Sequence, residues 1–147
     1  MIIQLTVPGQ PIAKQSAKYR SVRAKSGKSF VMAYTPKKIV NHEVFIKELF
    51  AIKYPNFPLW EGAVASSVTA YLTIPKSKSK KQKELMRSGK ILPIIRPDED
   101  NIKKPINDAL EGLAYKNDSQ IVRSSFSKFY SDNPRTEIII SEIKLDK

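Results

Sequence analysis

The chain has no cysteine, which excludes disulfides and thiolate metal sites and fits a reducing cytoplasm. It has one histidine, His42, with no second ligand near it in sequence, so no chemistry is assigned to it. No apolar run approaches the roughly 18 residues of a membrane span, and the N-terminus alternates as a strand instead of reading as a signal peptide. Acids are scarce, 14 against 26 Lys and Arg, giving a net charge of +12 over 147 residues. That excess calls for a polyanionic partner. Nucleic acid is preferred to membrane, because no basic amphipathic helix with a strongly apolar face is evident. The length suits one domain, and 41% apolar content is ordinary for a globular core.

What acid there is crowds into one place. In Arg96-Pro97-Asp98-Glu99-Asp100-Asn101 three consecutive carboxylates repel one another unless solvent or a bound cation takes up the charge. On an extended segment Asp98 and Asp100 point to one side and Glu99 away, which makes Asp98 with Asp100 the natural chelate. Asn101 reads as the N-cap of a helix with Ile102, Ile106, Ala109, Leu110 and Leu113 on its buried face. Asp100, Lys104, Asn107 and Glu111 lie opposite. Pro105 disfavours helical backbone at Lys104, so regular helix starts anywhere from Asn101 to Pro105. A solvated acidic cap is the plainer alternative, but it leaves the triple acid beside Arg96 and Lys104 unexplained.

Elsewhere the pattern alternates between core and cation. Ile2 to Val7 reads as a half-buried strand ending at Pro8-Gly9. From Lys14 to Ser29 the cations Lys14, Lys18, Arg20, Arg23, Lys25 and Lys28 occur without an acid, as in a flexible loop that orders on a phosphate backbone. Phe30 to Tyr34 is a short strand candidate. Thr35 and Pro36 open a helix to about Tyr54 with Ile39, Phe45, Ile46, Leu49, Phe50 and Ile52 as its core side. Trp60 reads as a packing residue. Ala63 to Ile74 is the longest strand candidate. Lys76, Lys78, Lys80, Lys81 and Lys83 then make a basic stretch to about residue 90, either a short helix or a mobile loop that orders on DNA. Gln120 to Tyr130 and Thr136 to Leu145 read as two strands joined in a hairpin. The order implies an α/β or α+β fold, a small sheet packed by two main helices.

Several of these pieces fall in a specific order: Asp98-Glu99-Asp100-Asn101, Lys104 four residues after the second aspartate, Asp108-Ala109-Leu110 with Gly112, and Asn117-Asp118-Ser119-Gln120 ahead of Ile121-Val122. They resemble the RusA family of Holliday junction resolvases, and Tyr34-Thr35-Pro36-Lys37-Lys38 is similar to that family's entry into its first helix. The resemblance implies a homodimeric protein with a mixed sheet, bacterial or phage-encoded and cytoplasmic, that cuts four-way DNA junctions in recombination and repair. It implies Mg2+ as cofactor, with Mn2+ as a substitute, held by Asp98, Asp100 and Asp118, and Lys104 at the scissile phosphate. Arg96 and the two basic stretches are the expected DNA contacts. Where many relatives carry two adjacent aspartates, this chain has Asn117 and then Asp118. A helix from Ile102 to Ala114 rises about 18 Å, so Asp118 reaches Asp100 only if the chain doubles back or a two-fold partner supplies it. The dimer arrangement is the expectation. The rival readings are a nuclease for other branched DNA and a non-catalytic DNA-binding protein.

Overall fold

A computed structural model describes residues 1–14 and 18–145, without the side chains of Lys18 and Tyr19. The elements are β1 (Ile2–Pro8), β2 (Lys18–Arg23), β3 (Ser29–Tyr34), α1 (Lys37–Lys53), β4 (Val64–Thr73), α2 (Lys80–Arg87), α3 (Glu99–Leu110), β5 (Ile121–Ser131) and β6 (Arg135–Glu142). Strands β1, β6, β4 and β5 form one mixed sheet in that order, with β4 and β5 parallel and the other pairs antiparallel. The class is α+β, as the element pattern implies, with α2 as a third, short helix.

Period-two alternation decides the inward face. Ile3, Leu5 and Val7 of β1, Val64, Val68, Ala70 and Leu72 of β4, and Ile138 and Ile140 of β6 are all buried. Ile46 and Phe50 of α1 and Ile102, Ile106, Ala109 and Leu110 of α3 join them in one core. Each large apolar side chain buried this way stabilises the fold by roughly 1.5–3 kcal/mol. On α1 the buried face is Ile39, His42, Ile46 and Phe50. Phe45 and Ile52, expected on the core side, are exposed, because one residue back from Ile46 or two on from Phe50 turns the side chain away from that face. His42 is a packing residue, and burial holds its pKa below the ordinary value.

Two expectations are corrected, and one of the two readings of the lysine-rich segment is borne out. The cationic stretch after Lys14 contains the β2–β3 hairpin, closed by an Ala24–Lys28 turn in which Gly27 adopts φ +85°. Residues 15–17 of that stretch lie outside the described residues. The lysine-rich segment is a helix over Lys80–Arg87, started by a capping box in which Ser79 and Gln82 bond reciprocally. Strands β5 and β6 do not form a hairpin. Instead β6 inserts between β1 and β4, and β5 takes the edge. Two inter-strand gaps amount to about 10 Å, which the short link between β5 and β6 spans. Composition favours this placement: Ile138-Ile139-Ile140 suits a central strand, whereas Arg123-Ser124-Ser125 and Lys128 suit an edge.

Candidate active site

Helix α3 begins at Glu99, with Asp98 as N-cap, three residues before the N-cap expected at Asn101. Pro105 therefore lies inside the helix and cannot donate to the Asn101 carbonyl. The backbone N–H of Lys14 takes its place, donating to Asn101 O at 2.7 Å. The Lys14 side chain continues the tie, donating to Glu43 of α1 at 3.1 Å and to Asp108 of α3 at 2.9 Å. Hydrogen bonds to Asp108 and Glu43 raise its pKa against the lowering effect of burial. Lys14, expected as a DNA contact, is thus a half-buried tether between two helices.

An earlier start puts Asp100, Lys103, Lys104, Asn107 and Asp108 on one helical face. With Asp118, Ile121 and Ser124 they line a cleft of about 350 Å³. Asp118 gets there within the same chain. After α3 the backbone turns at Gly112, whose φ of +84° would strain any other residue, and Gly112 N–H donates to Tyr115 O at 2.7 Å. The buried Tyr115 hydroxyl donates back to Asn107 O at 2.8 Å. Burial, then the charges of Asp118, Glu111 and Asp108, push the Tyr115 pKa well above its ordinary value. The Glu111 carboxylate accepts the Asp118 backbone N–H at 3.1 Å. So the fold-back brings Asp118 to the wall of the same cleft as Asp100 within one chain.

The turn carrying Asp118 is a single 3-10 turn, Asp118–Gln120, locked on both sides. Asn117 Oδ1 accepts Ser119 N–H, and Gln120 Oε1 accepts Asn117 N–H, both at 2.9 Å. Gln120 Nε2 then donates to the carbonyls of Trp60 and Gly62, each at 2.9 Å. Asn117, the departure from the paired aspartates, acts here as a cap for the turn.

Not every expected residue converges. Asp98 is exposed, makes no side-chain cap bond and is not among the cleft-lining residues, so the helical start replaces the extended geometry that paired it with Asp100. Among the described residues no group of three or more His, Asp or Glu is arranged to hold a metal. Lys104 lines the cleft, is exposed, and makes no ion pair among the described residues. Lys103 and Ser124 were not expected. Lys103 Nζ bridges Glu99 at 2.8 Å and Ser124 Oγ at 2.9 Å, joining α3 to β5 across the cleft. The Glu99–Lys103 spacing of four would reveal it once the helix is started at Glu99. Asn107 Oδ1 is buried with no hydrogen-bond partner among the described residues, a costly state for an acceptor unless something else binds it.

The donor set is all oxygen: carboxylates of Asp100 and Asp118 and the unsatisfied Asn107 Oδ1. It fits a hard divalent ion such as Mg2+, which needs one or two carboxylates and keeps several waters. A larger cleft of about 510 Å³ lies around Val7, His42 and Phe45, but among the described residues no carboxylate lines it. The expected DNA contacts Arg20, Arg23, Lys25, Lys28, Lys76, Lys78, Lys80, Lys81 and Arg96 are exposed and Lys83 is half-buried, whereas the Lys18 side chain lies outside the described residues. Among the described residues no helix is long and apolar enough to cross a membrane.

A strongly cationic α+β protein with a cleft of carboxylates and lysines belongs to the class of proteins built to meet a polyanion. Residues 8–141 match the family profile of endodeoxyribonuclease RusA, and the chain belongs to that family. It is also 38% identical over 143 residues to the uncharacterized protein YqaN of Bacillus subtilis (strain 168), covering 96% of each chain.

Proposed function

We propose that this protein is a magnesium-dependent endodeoxyribonuclease that resolves four-way DNA junctions as a homodimer, with Mn2+ able to substitute. The observation that carries the reading is the meeting of Asp100 and Asp118 in one cleft beside Lys104 and the unsatisfied Asn107 Oδ1. Asp100 and Asp118 would hold the ion, with Asn107 Oδ1 beside them, and Asp98 stands at the preceding helix cap. A bound Mg2+ there supplies Lewis-acid polarisation of a phosphodiester and a more acidic water.

The chain's own residues do the rest. Lys104, free of an ion pair among the described residues, places a positive group where negative charge grows on the phosphate. Lys103 spans from Glu99 to Ser124 and so holds α3 against β5. The Lys14 tether keeps Asp108 occupied. Exposed cations on the hairpin, the segment before α2 and α2 itself hold the DNA backbone and make binding salt-sensitive. Since one chain assembles the whole cleft, each protomer of a dimer carries its own, and two clefts serve the two equivalent strands of a junction.

Comparing magnesium-dependent cutting of a mobile four-way junction, a flap and a linear duplex tests the substrate. Preferential cutting of flaps would replace this reading with a nuclease for other branched DNA. Asp100→Asn should abolish cleavage while leaving junction binding intact or tighter, since a negative group facing the phosphate is removed. Cleavage at the wild-type rate would end the assignment. Mixed Asp100→Asn and Asp118→Asn subunits should give no active heterodimer; restored activity would mean the site is shared between chains.

A further inference from the structure

The segment from Ile91 to Pro97 joins α2 to the cap of α3 and is pinned at four points. Lys90 N–H and Ile91 N–H both donate to Leu85 O, at 2.9 and 3.1 Å, and Ile91 packs against the core. Pro93 is buried. Lys128 Nζ, from β5, donates to Ile95 O at 2.7 Å and Pro97 O at 3.3 Å. Between these anchors Leu92, Ile94 and Ile95 point outward, Ile94 with 96% of its surface exposed. An apolar group held out in water by a fixed backbone is poised for a partner, and this one ends three residues before Asp98.

We propose that Leu92, Ile94 and Ile95 form an apolar wedge that enters between weakly stacked bases at a DNA branch point. The inference rests on the proposed function for its substrate and goes beyond it in naming what reads the branch. The surroundings favour bases over an apolar protein partner. Lys90 and Arg96 flank the wedge as exposed cations, matching the phosphates on either side of a base step. Apolar side chains inserted between bases must overcome stacking worth a few kcal/mol per step. Linear duplex imposes that cost in full and a branch point imposes less, so a rigid wedge separates the two substrates without reading sequence.

The test places 2-aminopurine at the branch point of a four-way junction, or mid-arm as a control, with the full-length protein in chelator to prevent cleavage. Wild type should raise emission several-fold at the branch and leave the mid-arm probe unchanged. Leu92→Ser/Ile94→Ser/Ile95→Ser should lose that rise and bind the junction about tenfold more weakly, the equivalent of one buried aliphatic group, with duplex affinity unaltered. Ile94→Glu should do the same through charge. An undiminished rise in either variant overturns the wedge, as does junction binding by wild type without any rise. If the triple substitution changes the sedimentation coefficient, the patch joins copies of this chain and the wedge is refuted. Failure of wild type to prefer the junction over duplex would instead refute the proposed function.

Discussion

Replacing Lys14 with methionine keeps the aliphatic length of the side chain and removes its charge. In the folded protein Nζ lies 3.1 Å from Glu43 and 2.9 Å from Asp108, and the three side chains are between 18% and 26% exposed. Breaking a fully buried pair from one side costs about 3–5 kcal/mol, and a surface pair under about 1. Partial exposure puts this tether at about 2 kcal/mol, a fall in Tm of roughly 4–8 °C for a chain of this size. The lysine pKa is raised in the folded state. Its contribution is therefore complete below the unfolded value of about 10.4 and is lost as pH rises through the folded value. Urea unfolding should show a constant deficit for Lys14→Met at neutral pH that shrinks above roughly pH 10.5. Glu43→Gln in the Lys14→Met background should cost less than it does alone. If Lys14 were a phosphate contact instead, stability would match wild type, and the slope of log affinity for DNA against log salt would fall by about one. That pair of results would refute the tether.

Tyr115→Phe deletes the bond to Asn107 O and should cost about 1–1.5 kcal/mol at neutral pH. Because the tyrosine pKa is raised on folding, wild-type stability should also fall above roughly pH 10, and the variant's should fall less; equal slopes in alkaline denaturation would contradict this. Pro105→Ala supplies an N–H that competes for Asn101 O, so hydrogen-exchange protection of the Lys14 amide should drop about tenfold, and unchanged protection would show that the tether does not depend on the proline. Changing Lys78, Lys80 and Lys81 together to Gln should reduce the salt slope of DNA binding by roughly one for each phosphate no longer neutralised, with Tm nearly unchanged; an unaltered slope would remove these residues from the DNA surface.

Much of the fold is local and so is legible in the sequence. Period two marks β1 and β4, and the spacing of Ile102, Ile106, Ala109 and Leu110 marks the buried face of α3. The start of α3 is hidden because its decisive partner is remote. Asn101 and Pro105 both argue locally for a later start, and only the Lys14 amide, arriving from far upstream, makes a proline inside the helix tolerable. Placing the first turn one cap too late separates Glu99 from Lys103 and keeps Asp98 beside Asp100. The bonds of Lys103 to Ser124 and of Glu111 to the Asp118 N–H join residues 21 and 7 apart in sequence, and neither leaves a periodic trace. The fold-back at Gly112 is foreseeable as one of two options, yet nothing in the spacing favours it over a partner chain.

The position of β6 has a temporal side. It follows β1, β4 and β5 in the chain, yet it lies between β1 and β4 and is the strand that hydrogen-bonds to both. A growing chain can thus pair β4 with β5 and lay β1 against α1, but cannot join β1 to the sheet until residues 135–142 have left the ribosome. That ordering leaves the four-stranded sheet open until β6 is available, so a chain that stops short of it has no finished scaffold beneath the cleft of Asp100 and Asp118.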